Sequence, residues 1–181
     1  MKRMISGAVL PAALGILILL AIVIYTGTYS YNHSSISKVL NSEDGSWTFI
    51  PFAQGEIALL NDDKELDAIY LKRGLLGWNK VIEPAPIPKN TQAYNQRFSF
   101  FQADGQTFIF GYFPSDDMKT VTFNDEPSSF GSGSLEISYR VGEDGSWFIP
   151  VNRNISSLNG DDLYVTLDDG TRISYPFTEL N

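Results

Sequence analysis

The sequence predicts a mainly β protein: an antiparallel, sandwich- or barrel-like extracytoplasmic region preceded by one N-terminal transmembrane helix. Three observations carry this expectation. Residues 5–25 read ISGAVLPAALGILILLAIVIY, 21 positions without a charge. Beyond residue 42, alternating apolar and polar runs recur about every 8–12 positions, the spacing of an all-β domain. The dipeptide Asp-Gly occurs at 44–45, 104–105, 144–145 and 169–170, and it suits the positive-φ positions of tight hairpin turns.

At about 1.5 Å per residue the apolar run extends for roughly 30 Å, the thickness of a hydrocarbon core. Lys2 and Arg3 precede it and the next basic residue is Lys38. The positive-inside rule therefore predicts a single-pass protein of the cell membrane, with its N-terminus cytoplasmic and its C-terminal region outside. Tyr25, Tyr29 and Tyr31 stand where an interfacial aromatic belt is expected. The alternative is a cleaved signal peptide, whose apolar core is usually about 7–15 residues long and ends at small residues. This run is longer and leads into YTGTYSYN, so a signal-anchor over 5–25 is preferred. Only residues 1–4 precede it, so any message is expected to pass through a partner.

Residues 26–42, TGTYSYNHSSISKVLNS, are polar and without period, and they read as a linker. Strand signals then crowd the chain. In LEISYRV, Leu135, Ile137, Tyr139 and Val141 alternate with Glu136, Ser138 and Arg140. DLYVTL and TRISYPF repeat the pattern, and RFSFF, QTFIFGYF and KTVTFN are further candidates. The segment at 61–74, NDDKELDAIYLKRG, has helix-like spacing, but its strand-like flanks favour a hairpin with an acidic turn at 61–65. EPAPIPK (83–89) and EPSSFGSGS (126–134) are breaks. Two β subdomains, 43–114 and 117–181, are expected, with a single β domain over 43–181 as the alternative.

Every Asp and Glu lies after residue 42, which leaves 11 basic residues against 21 acidic ones once Lys2 and Arg3 are set aside. Nucleic acid is an unsuitable partner for such a surface. The absence of cysteine excludes disulfides, thiol nucleophiles and cluster ligation. The single histidine, His33, falls in the expected linker and reads as a solvent-exposed bystander. Ser35 and Lys38 have S-x-x-K spacing but lack the other elements of that catalytic class.

The acid pairs Asp62-Asp63, Asp116-Asp117, Asp161-Asp162 and Asp168-Asp169 read as solvated turn acids. Weak Ca²⁺ binding is their alternative role, since none has the spacing of a calcium loop. No catalytic and no metal-ligating residue is therefore assigned.

DAIYLKRGLLGWNKV (67–81) resembles a pattern in singly anchored extracytoplasmic proteins of Gram-positive, Bacillus-like bacteria, in which a strand ends in a basic-Gly step before Gly-Trp. The resemblance implies a β structure for 56–82 and a bacterial cell-surface location, and it brings no catalytic or ligand residue.

Within that segment Lys72, Arg73, Trp78 and Lys80 are the candidate binding residues, a basic cluster around Leu75 and Leu76 in an otherwise acidic chain. They could meet anionic wall polymers, lipid headgroups or an envelope protein; otherwise Trp78 and the leucines fill the core. The expected function is that of a membrane-anchored binding or accessory protein of the cell envelope, without a cofactor. The alternatives are a wall-glycan or ligand-binding module using Trp47, Trp78 or Trp147 as stacking platforms, and, less favoured, a carboxylate-only hydrolase.

The stretch EDGSW occurs at both 43–47 and 143–147. Its two continuations differ by one residue, which places Phe49 and Pro51 on the face of Trp47 but Ile149 on the face of Trp147. The repeat therefore shares turn chemistry without sharing a side-chain constellation.

Overall fold

A computed structural model of the chain describes residues 6–41, 47–90, 97–113, 118–125, 135–140, 145–155 and 162–175. By contact the chain divides into two compact units, Met1–Asp44 with Lys72–Asn79, and Gly45–Leu71 with Lys80–Asn181.

In the first unit, helix α1 runs from Ser6 to Asn32. Its part Ala13–Asn32 is long and apolar enough to cross a membrane. The helix does not stop at Tyr25 but takes in residues 26–32 of the stretch read as a linker. Thr26 Oγ1 donates back to the Ile22 carbonyl at 2.9 Å. The Tyr25 and Tyr29 rings lie 6.2 Å apart, and Tyr29 stacks on His33 at 4.0 Å. These contacts follow the i, i+4 spacing of one helix face. A second short helix, α2 (Ile36–Leu40), is closed by Asn41 in the left-handed conformation at φ +52°.

The second unit is β throughout its described residues. Strands β1 (Trp47–Phe52), β2 (Gly55–Asn61), β3 (Glu65–Gly74) and β4 (Gly77–Ile82) lie in that order in one sheet, and β5 (Ile87–Pro88) also pairs with β3. A second sheet orders β10 (Ser146–Val151), β7 (Gln106–Tyr112) and β6 (Phe98–Ala103). A third orders β12 (Arg172–Ser174), β11 (Leu163–Leu167), β8 (Met118–Asp125) and β9 (Leu135–Arg140). Strands from either side of 114–117 thus share the middle sheet, where β10 pairs antiparallel with β7.

The sheets stack as three layers because the middle sheet is apolar on both faces. One face presents Phe101, Ala103, Phe108 and Phe110 to Phe52, Ile57, Leu59, Leu66, Ala68 and Tyr70 of the first sheet. The opposite face presents Ile109, Trp147, Ile149 and Val151 to Val121, Phe123, Leu163, Val165 and Ile173 of the third. The run QTFIFGY in β7 reads as continuous apolarity rather than alternation for this reason: a strand buried on both sides has no solvent face. Gly111 leaves space in this packing, since a Cβ there would come within 2.3 Å of the Trp147 ring.

The turns divide by type. At 104–105 both residues have positive φ, +49° and +83°, and join β6 to β7 as a two-residue turn. At 169–170 only Gly170 does, in a longer loop where Gly170 N–H donates to the Leu167 carbonyl and Asp169 Oδ1 accepts from Thr171 N–H. Asp144 lies outside the described residues; β9 and β10, before and after it, belong to different sheets and so do not form the expected hairpin with each other. Asp44-Gly45 lies outside the described residues. The acidic segment forms the expected hairpin between β2 and β3, with Asp62 Oδ1 accepting from the Lys64 and Glu65 N–H groups at 2.7 and 2.8 Å. Those two donors hold the Asp62 carboxyl below its ordinary pKa.

Candidate functional site

The segment singled out for binding forms the far end of the β3–β4 hairpin, and contact groups its residues 72–79 with the helices. Leu75 and Leu76 make the turn between Gly74 and Gly77. Trp78 N–H donates to the His33 carbonyl at 2.7 Å. In return the His33 ring bonds through Nδ1 to the Trp78 carbonyl. A carbonyl only accepts, so Nδ1 carries the proton. Tyr29 OH donates to Asn79 Oδ1, and Ser30 Oγ donates to the Leu76 carbonyl at 3.2 Å.

Gly77 allows the approach. Its φ is +130°, and a Cβ at this position would fall 2.2 Å from the His33 carbonyl oxygen.

His33 is therefore not the solvent-exposed bystander expected from the sequence. It is half-buried, stacked on Tyr29 and bonded through backbone and ring to one strand. The helix continuing past Tyr25 carries it there. The sequence does not assign Tyr29, Ser30, His33 or Asn79 to this contact; the spacing Tyr25, Tyr29, His33 is the one signal of it.

The four candidate residues are divided between the two units. Lys72 is half-buried, Arg73 exposed and Trp78 half-buried, all in the unit of the helices. Lys80 belongs to the β unit, where its ammonium pairs with Glu83 at 2.9 Å. The leucines do not fill the core: Leu75 is 102% exposed and Leu76 39%. A two-residue turn holds its side chains away from both strands, which is why apolar character alone did not bury them.

The other chemistry-bearing residues are engaged locally. Ser35 Oγ shares a hydrogen bond with Ser37 Oγ, whereas Lys38 Nζ donates to the Tyr31 carbonyl and Ser34 Oγ and lies 3.4 Å above the Tyr31 ring. The S-x-x-K spacing therefore pairs no lysine with its serine. Asp62 and Asp169 accept backbone N–H groups within their own turns, and both carboxyls are held below the ordinary range. Asp116, Asp117 and Asp161 lie outside the described residues. Among the described residues no three His, Asp or Glu side chains converge as metal ligands.

Of the tryptophans proposed as stacking platforms, Trp147 is 1% exposed and lies flat against Phe113 at 5.5 Å. No sugar ring can reach it. Trp47 and Trp78 keep partial exposure.

Comparison with protein families, with curated proteins and with solved structures finds no match.

Proposed function

We propose that this chain is a membrane-anchored extracytoplasmic protein of the bacterial cell envelope that acts by binding, as an accessory or interaction module. The observation that carries the reading is the state of α1. Its apolar side chains from Leu14 to Ile24 are all more than half exposed, a continuous greasy surface that water would not tolerate. Lys2 and Arg3 at the other end of the helix support an N-terminus inside and a β region outside. The bacterial setting rests on the resemblance at 67–81.

Protease treatment of intact protoplasts tests location and orientation together: digestion of the β region from outside, with the helix left in the alkali-washed membrane, is expected. Release of the chain by alkali, or a mature protein lacking residues 1–25, overturns the anchor. Crosslinking in the native membrane with mass spectrometry then identifies what the β region binds.

A second reading, a wall-glycan module, is supported by Trp47 on the outward face of β1 beside Phe49, which is 46% exposed. Co-sedimentation of the protein in detergent with insoluble cell wall, abolished by Trp47→Ala, is the result it requires.

A further inference from the structure

We propose that the end of the β3–β4 hairpin is itself a membrane-contact device: Leu75 and Leu76 enter the headgroup layer beside α1, and Lys72, Arg73 and Lys38 face anionic phospholipid there. The inference rests on the reading of α1 as a membrane span.

The end of the hairpin is bonded to the C-terminal turn of α1 and to His33. Trp78 is bonded at His33, and Leu76, two residues nearer the turn, is bonded at Ser30. Asn79 is bonded at Tyr29, so this end of the hairpin is held at the level of residues 29–33 of the helix, and Leu75 lies beyond the last bond. The apolar run ends at Tyr25. Ser30 is five residues farther, about 7.5 Å along the helix axis at 1.5 Å per residue. A headgroup layer is about 5–7 Å deep on each side of the hydrocarbon. A leucine held at the level of Ser30 therefore lies within the layer that Tyr25, Tyr29 and Tyr31 occupy.

The turn itself gives no reason for leucine. Among the described residues positive φ falls on Asn41, Ala53, Asp104 and four glycines, including Gly77 but neither Leu75 nor Leu76. The two turn positions therefore have no special backbone demand, and hairpin turns ordinarily carry polar residues. Here they carry two leucines, one of them wholly exposed. The charge is equally local. The described residues of this unit carry Lys38, Lys72 and Arg73 and no acid, in a chain of net charge −8. An apolar tip flanked by basic side chains is the pattern of interfacial insertion, in which buried apolar area and attraction to anionic lipid add. A protein partner would also accept leucines, but only a bilayer is already placed at this depth by the helix.

The chain has no cysteine, so single cysteines report cleanly. Full-length chains carrying Leu75→Cys, Ile18→Cys or Asp168→Cys, each labelled with a polarity-sensitive dye, are reconstituted into phosphatidylcholine–phosphatidylglycerol vesicles containing lipid spin-labelled near the headgroup. The label at 75 is expected to shift to the blue and to lose intensity to the spin label, while that at 168 keeps a water-like spectrum. The loss at 75 shrinks in pure phosphatidylcholine and in the Lys72→Gln/Arg73→Gln variant.

A water-like, unquenched label at 75 together with a lipid-like label at 18 overturns the inference and leaves the anchor intact. A blue-shifted but unquenched label at 75 places the tip against protein and also overturns it. A water-like label at 18 overturns the anchor and the inference with it. Quenching at 75 that ignores lipid charge overturns the part given to the basic residues.

Discussion

Trp78 and His33 are joined twice, by the Trp78 N–H donating to the His33 carbonyl at 2.7 Å and by the His33 ring bonding back to the Trp78 carbonyl. The pair depends on Gly77, where any side chain meets the His33 carbonyl at 2.2 Å and the backbone at φ +130° is strained for an L residue. Gly77→Ala is expected to release this end of the hairpin from the helix, since the clash adds to backbone strain of about 1–3 kcal/mol. Trypsin should then cut after Lys72 and Arg73 faster than in the native chain. Unchanged cleavage would show that the hairpin is held by something other than this contact.

Much of the architecture is legible in the sequence, and the exceptions have physical reasons. The alternation in DLYVTL and TRISYPF locates strands because one side of each faces the core. The same periodicity cannot reveal that β7 is covered on both sides, since Phe108 and Phe110 serve one neighbouring sheet and Ile109 the other. Nor can it end α1 correctly. Thr26, Ser30 and Asn32 are weak helix formers, and what supports them is tertiary, the hairpin bonds to Ser30 and His33. The candidate segment at 72–80 stood out by composition, but the partner that positions it lies about 45 residues away in sequence, beyond any local pattern.

Asp67 gives an acid-side prediction. It is half-buried on β3, its Oδ1 meets no donor among the described residues, and burial, followed by Glu83 and Glu65, raises its pKa. A carboxyl whose folded pKa lies above its unfolded value favours the fold when protonated, and that contribution is lost as pH rises through the folded pKa. At neutral pH the ion is a cost. Asp67→Asn is expected to raise the urea midpoint at neutral pH, with the gain shrinking as pH falls through the carboxylate range. An equal midpoint shift at all pH values would assign the effect to shape and not charge.

Tyr70 gives the opposite end of the scale. Its hydroxyl donates to Asp104 Oδ2 at 2.7 Å, bridging β3 and the β6–β7 turn, and its side chain is buried. Burial first, and then the Asp104 carboxylate, push its pKa from 10.0 to about 12. The folded chain thus holds the phenolic proton more tightly than the unfolded chain. The stabilisation is complete below pH 10 and is lost as pH rises from 10 toward 12. Tyr70→Phe should flatten the stability profile in that window, and absorbance of tyrosinate should show one ring titrating late in the native chain and none in the variant.

The two EDGSW tryptophans give the sharpest contrast, because the same five residues precede different faces. Trp147 is 1% exposed, stacks on Phe113 and fills the space left by Gly111. Trp47 opens β1 on the side where Phe49 and Pro51 are exposed, while Ile50 and Phe52 turn inward. Trp47 lies in an outer sheet with one face open, whereas Trp147 lies in the middle sheet, which is covered on both faces, so the same five residues lead to a partly exposed tryptophan in one copy and a core one in the other.

Trp147→Ala is expected to cost about 3–5 kcal/mol, the range for removing a large buried aromatic. Trp47→Ala is expected to cost about 1 kcal/mol or less, as for changes away from the core. Trp147→Phe should recover much of the loss, because the indole Nε1 meets no acceptor among the described residues and Phe removes that buried donor. Urea unfolding of the full chain in detergent micelles, followed by circular dichroism, measures all three. Equal losses at 47 and 147 would mean that β1 is buried on its Trp47 face and that the contrast between the copies is wrong.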